Sequence, residues 1–166
     1  MEVMVVRHGI AMDREVALDR AIGDRDRPLT DKGRSRMKRI AKGLSRRAPG
    51  ISSILTSPLK RAIETAEILA DAYGDLTCTM TPALLPEADP DELARALAEH
   101  AAEPLVAVVG HEPHLSGFIS WCLTGRTAPV VEVKKGGACL VRFDGAPEQT
   151  GGRLIWLAPP AILRHI

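Results

Sequence analysis

The chain is poor in several things that would each have placed it in a class. It has three cysteines in 166 residues, Cys78, Cys122 and Cys139. An odd number with no CxxC spacing speaks against a disulfide framework and against a zinc site, and for a reducing compartment. Aromatic residues are 3% of the chain, which leaves little for stacking on bases, so no nucleic-acid partner is expected. Net charge is +1, so there is no bulk pull toward polyanions or membrane surfaces. No apolar run is long enough to cross a bilayer, and the N-terminus lacks the basic and apolar regions of a secretion signal. The expectation is a cytoplasmic protein with no membrane partner. No internal repeat or low-complexity segment occurs.

What is present is the profile of a globular domain: 45% apolar and 26% charged residues. The length suits one domain, and residues 1–166 read as a single unit. Val3–Val6 is apolar without alternation, as in a parallel strand covered on both faces. Residues 10–28 show no clear period and read as a long surface loop. Thr30 or Asp31 caps a helix to about Arg47, with Met37, Ile40, Ala41 and Leu44 on its buried face. Ile51–Thr56 reads as a second strand. "SPLKRAIETAEILADAYG" reads as a helix with Ser57 as N-cap, Pro58 at its first position and Gly74 past its end. Thr77–Thr81 is a short strand, and "DPDELARAL" starts a helix with a capping box from Asp89 to Glu92. Leu105–Val109 is a fourth strand, followed by a helix from Pro113 to about Leu123. Ala138–Phe143 and Arg153–Ala158 read as strands, at least one of them antiparallel. Alternating strands and helices give an α/β fold with a mostly parallel sheet.

In such a sheet, ligands bind beyond the carboxyl ends of the strands. Arg7, His8 and Gly9 follow the first strand. Ser57, Lys60 and Arg61 follow the second. Glu87 and Asp89 follow the third, and Gly110 and His111 follow the fourth. Topology therefore gathers cations along one edge, with one acidic contributor. Lys60 and Arg61 stand in a helix first turn, where the dipole disfavours cations, and a bound anion resolves that conflict. Phosphate suits the planar fork of arginine. The basic run Lys32, Arg34, Arg36, Lys38, Arg39, Lys42, Arg46 and Arg47 reads as the solvated face of its helix, with a docking face for an acidic partner as the alternative. "HEPH" at 111–114 lacks the i, i+4 histidine spacing of a metal motif, so no metal and no cofactor are expected.

The motifs "RHG" (7–9), "RPLTDKG" (27–33), "TSPLKRAIETAEIL" (56–69) and "VVGHEPHLSGF" (108–118), in this order, resemble the histidine phosphatase superfamily, also called phosphoglycerate mutase-like, over nearly the whole chain. The "RPLT", "SPLKRA" and "GHEP" forms are most similar to the SixA-type phosphohistidine phosphatases. The resemblance implies a three-layer α/β/α sandwich, phosphoglycerate mutase-like. It implies catalysis by His8 as nucleophile through a phosphohistidine intermediate, with Arg7, Arg61 and His111 on the phosphoryl oxygens and Gly9 letting the backbone approach the phosphate. Glu87 lies where many family members carry an acidic proton donor and is the candidate for that role. The substrate expected is phosphohistidine in a protein, and the alternative is a small phosphate ester.

Overall fold

The computed structural model describes residues 1–166. Six strands form one sheet: β1 (Glu2–Arg7), β2 (Ser53–Thr56), β3 (Cys78–Met80), β4 (Leu105–Gly110), β5 (Ala138–Arg142) and β6 (Arg153–Ala158). Their spatial order is β3-β2-β4-β1-β5-β6. The first four are parallel; β5 runs antiparallel to β1, and β6 antiparallel to β5. Six helices accompany them: α1 (Arg14–Asp19), α2 (Asp31–Arg47), α3 (Lys60–Ala72), α4 (Pro90–Ala98), α5 (His114–Thr124) and α6 (Pro160–Leu163). None is long and apolar enough to cross a membrane.

The unbroken apolar run of β1 follows from its place in the middle layer. Met4 and Val6 pack under α2, α3 and α6, while Val3 and Val5 pack under α4 and α5. All four are fully buried, so neither face can take a polar residue. The two packed faces make this a three-layer α/β/α sandwich, as the sequence resemblance implies.

Several local expectations are corrected. Residues 10–28 are not a featureless loop: they hold α1, capped by Asp13 accepting from the Glu15 amide at 2.9 Å, and a 3-10 turn over Asp24–Asp26. Only Ala17 of α1 is buried, so no apolar period marked it. Helix α3 starts later than expected, with Leu59 at the cap, because the Ser57 hydroxyl is engaged elsewhere. Asp89 does precede α4, but its side chain makes no capping bond and no capping box forms. The short α6 carries no periodic signal, and it docks on α2 where Gly43 leaves room for the Leu163 carbonyl.

Candidate active site

The sheet order sets β2, β4 and β1 side by side, and their carboxyl ends deliver Ser57, His111 and His8 to one place. Register fixes this closely: Arg7 pairs with Gly110, and Thr56 with Val109. The next residue on each strand is still tied in, with the His8 amide donating to Gly110 O at 3.1 Å and the Ser57 amide to Val109 O at 3.0 Å. The two imidazoles stand with ring centroids 4.9 Å apart, and both are buried.

Hydrogen-bond accounting assigns their tautomers. His8 Nδ1 lies 2.7 Å from Gly9 O, which can only accept, so Nδ1 carries the proton and Nε2 keeps its lone pair. His111 Nε2 lies 2.8 Å from Ser57 Oγ, and that hydroxyl also accepts from the Leu59 amide at 3.3 Å. The hydroxyl proton has no acceptor but His111 Nε2, which puts the ring proton on Nδ1. Both rings are neutral at neutral pH. Burial, with Arg61, Arg7 and Lys135 adding to it, lowers the His8 pKa to about 3. Burial, with His8 and Arg61 nearby, lowers that of His111 to about 2.

The arginines are held from behind. Arg7 Nη1 donates to Val133 O at 2.9 Å. Arg61, in the first turn of α3, donates Nη1 to Asp24 O at 2.8 Å and Nη2 to Asp24 Oδ2 at 3.2 Å. Asp24 also takes the Nε proton of Arg27 at 2.9 Å. Burial alone would raise the Asp24 pKa; Arg27 and Arg61 outweigh it and hold the carboxyl ionised. Burial lowers the pKa of Arg61, and Asp24 opposes that. Thr65 ties α3 to the loop after β1, donating to Arg61 O at 2.7 Å and accepting the Gly9 amide at 3.1 Å.

These groups face a cleft of about 600 Å³ lined almost wholly by polar residues. Its cations are Arg7, Arg14, Arg27, Arg61 and Lys135, beside the two histidines. Three buried N–H groups here find no partner in the protein: Arg7 Nε, Arg61 Nε and His111 Nδ1. Unsatisfied buried donors are rare in folded proteins, and a cluster of them beside cations suits the oxygens of an anion.

Arg7, His8, Arg61 and His111 are thus brought together as the sequence suggested. Gly9 does not line the cleft; a Cβ there would stand 2.6 Å from Met37 Cγ and 3.3 Å from Leu29 Cδ2, on the α2 side. Its carbonyl and amide serve the site by fixing His8 and bonding Thr65. Glu87 is exposed and does not line the cleft, although its neighbour Pro86 does. Four acidic residues missed by sequence reasoning do line it: Asp13, Glu15, Asp24 and Glu112. No local sequence signal marked them; Asp24 emerges only in the structure, where it pairs with the buried Arg27 of the "RPLT" motif and with Arg61. No three His, Cys, Asp or Glu side chains converge in a metal-binding arrangement.

A neutral histidine with a free lone pair thus stands among buried cationic donors at a sheet edge, an arrangement chemically suited to a phosphoryl group. Residues 3–89 match the model of the histidine phosphatase superfamily, branch 1. An uncharacterised protein of Picosynechococcus sp. (strain PCC 7002) is 35% identical, over 96% of this chain and 97% of its own. The phosphohistidine phosphatase SixA of Escherichia coli K12 is 29% identical, over 99% of this chain and 97% of its own. A solved structure of the protein histidine phosphatase SixA complexed with tungstate superposes with a TM-score of 0.82 at 26% identity, covering 98% of this chain and 99% of that one. The chain belongs to the histidine phosphatase superfamily, and it is a phosphatase.

Proposed function

We propose that the protein hydrolyses phosphohistidine in a protein through a phosphohistidine intermediate on His8. The observation that carries this is the trio of unpartnered buried donors around a histidine whose Nε2 is deprotonated. Arg7 Nε, Arg61 Nε and His111 Nδ1 match in number the three non-bridging oxygens of a transferring phosphoryl group. His8 Nε2 attacks phosphorus, the P–N bond to the substrate imidazole breaks, and the leaving nitrogen takes a proton from solvent. Water then attacks phosphorus on His8, releasing inorganic phosphate and restoring the neutral ring. The close coverage of SixA, by sequence and by structure, supports phosphohistidine as the substrate.

The acidic groups of the site favour the same substrate. Expelling an alkoxide needs a proton donor, since its conjugate acid has a pKa near that of water, ~15.7. Expelling an imidazole does not, because its conjugate acid has a pKa of about 6.5. Glu87 stands outside the cleft lining. Asp24 is held ionised by arginines, Asp13 caps α1, and Glu112 accepts from Ser116 Oγ at 2.7 Å and the Val133 amide at 3.2 Å. Glu15 is exposed. The test is a comparison of kcat/KM on a phosphohistidine protein and on alkyl phosphates, for the wild type and Glu87→Gln. Fast turnover of phosphohistidine that stays within about tenfold in the variant is expected, below the 10²–10⁴ range of a general acid. An enzyme fast on alkyl phosphates and crippled there by Glu87→Gln would move the assignment to a small phosphate ester.

A further inference from the structure

Beyond the catalytic cleft, a second group of cations has no counter-charge. Arg36, Lys135 and Arg164 line a recess of about 20 Å³ whose walls include Gly9 and Ile10 and contain no acidic residue. That is room for a water or a carboxylate oxygen. Lys135 also lines the catalytic cleft, so the recess and the cleft meet on either side of the His8–Gly9 backbone. Lys32, Arg36 and Arg39 are spaced i, i+4 and i+7 along α2 and fall on one flank of it. None of these five cations forms an ion pair or a side-chain hydrogen bond, whereas the neighbouring Arg34 is paired with Glu64 at 2.8 Å and Arg46 holds the Ile166 carbonyl at 2.8 Å. Lys38 and Lys42 of α2 are unpaired as well, and Arg39 also borders a shallower groove with Asp31 and Lys38, so what sets this flank apart is its continuity with the cleft through Arg36 and Lys135.

We propose that Lys32, Arg36, Arg39 and Arg164, continuous with Lys135 at the lip of the cleft, form the docking face for an acidic surface of the protein that carries the phosphohistidine. This rests on the reading of the cleft as a phosphoprotein site. Charge complementarity selects the occupant: a row of unpaired cations attracts carboxylates, steers encounter and fixes register. Base stacking has no support there, since neither the recess nor the flank of α2 presents an aromatic side chain.

The experiment uses two synthetic phosphohistidine peptides of equal length, one with Asp/Glu-rich and one with Lys-rich flanks, and free phosphohistidine. The wild type is compared with Arg36→Glu/Arg39→Glu/Arg164→Glu and with the milder Arg36→Gln/Arg39→Gln, each first checked for an unchanged melting temperature. Expected is a preference of about tenfold or more in kcat/KM for the acidic peptide, falling with added salt. The charge reversal abolishes or inverts it, the Gln pair weakens it, and free phosphohistidine is turned over at the same rate throughout. A preference absent in the wild type, or unchanged in both variants, overturns the proposal. Binding of a labelled, unphosphorylated acidic peptide, read by fluorescence anisotropy, separates docking from chemistry. Charge-sensitive binding without turnover of any phosphohistidine leaves the docking face standing and removes the catalytic reading. Tighter binding of a labelled oligonucleotide than of the acidic peptide assigns the surface to nucleic acid and overturns it.

Discussion

In the proposed mechanism His8 and His111 act as neutral rings, and keeping them neutral has a cost that depends on pH. Each has a folded-state pKa far below the value of about 6.5 of an unperturbed histidine, through burial first, with Arg61 adding to both. As pH falls below about 6.5 the unfolded chain takes up protons that the folded site refuses. The stability tied to these rings is therefore complete above about pH 6.5 and is lost toward the folded values of about 3 and about 2. For one such ring the loss between pH 7 and pH 5 is about 2 kcal/mol. Replacing the titrating group, as in His111→Gln, should remove that share of the pH dependence. Urea denaturation at the two pH values is expected to show the wild type losing about 2 kcal/mol more than the variant. Equal losses would show that His111 is already protonated, or exposed, in the folded protein. At this scale the sequence was informative about identity and silent about partners. "RHG" and "GHEP" display the histidines and Arg7, but nothing local announces that Asp24, 37 positions away, holds Arg61.

Helices and turns set how firmly those residues are held. The start of α2 presses on the loop that follows His8. Thr30 Oγ1 accepts the Gly33 amide at 2.9 Å, and the Thr30 amide donates to Ile10 O at 2.9 Å. A Cβ on Gly33 would stand 2.1 Å from that same Ile10 oxygen, a backbone atom with no rotamer to yield. Gly33→Ala is therefore expected to destabilise the fold by about 1–3 kcal/mol, the usual range for overpacking. It should lower turnover as well, because displacing Ile10 displaces the Gly9 carbonyl that sets the His8 tautomer. Gly145→Ala, where an added Cβ meets nothing within 4 Å, is the control and should leave both unchanged. Thermal melts and kcat on the pair check this, and a Gly33→Ala protein with wild-type melting and turnover would refute the coupling. Helix α2 and its buried face were legible because Met37, Ile40, Ala41 and Leu44 keep a strict period. The start of α3 was not, because Ser57 has the chemistry of a cap but spends its hydroxyl on His111 and the Leu59 amide. A side chain that serves the site breaks the local rule that would have placed it.

Across the whole molecule, strand order turns scattered motifs into a site. With β4 between β1 and β2, residues 8, 57 and 111 meet at one edge, and no other part of the fold gathers so many unpartnered donors. That convergence was legible in the sequence because β1, β2 and β4 each carry a short apolar run followed at once by a polar residue, whereas β3 is short and largely exposed and delivers no side chain of its own to the cleft. The wall made by residues 10–28 was not legible, since α1 buries one side chain and the contact that ties Asp24 to the site is with Arg61, distant in sequence. The central claim is chemical: His8 Nε2 accepts the phosphoryl group while Arg7, Arg61 and His111 hold its oxygens. Rapid alkaline quench during turnover of a phosphorus-labelled substrate, followed by peptide mapping, tests it most directly. The expected result is one acid-labile, alkali-stable label on His8, forming and decaying fast enough to account for turnover and absent in an inactive His8→Ala protein. Full turnover by His8→Ala, or label on another residue, would contradict it.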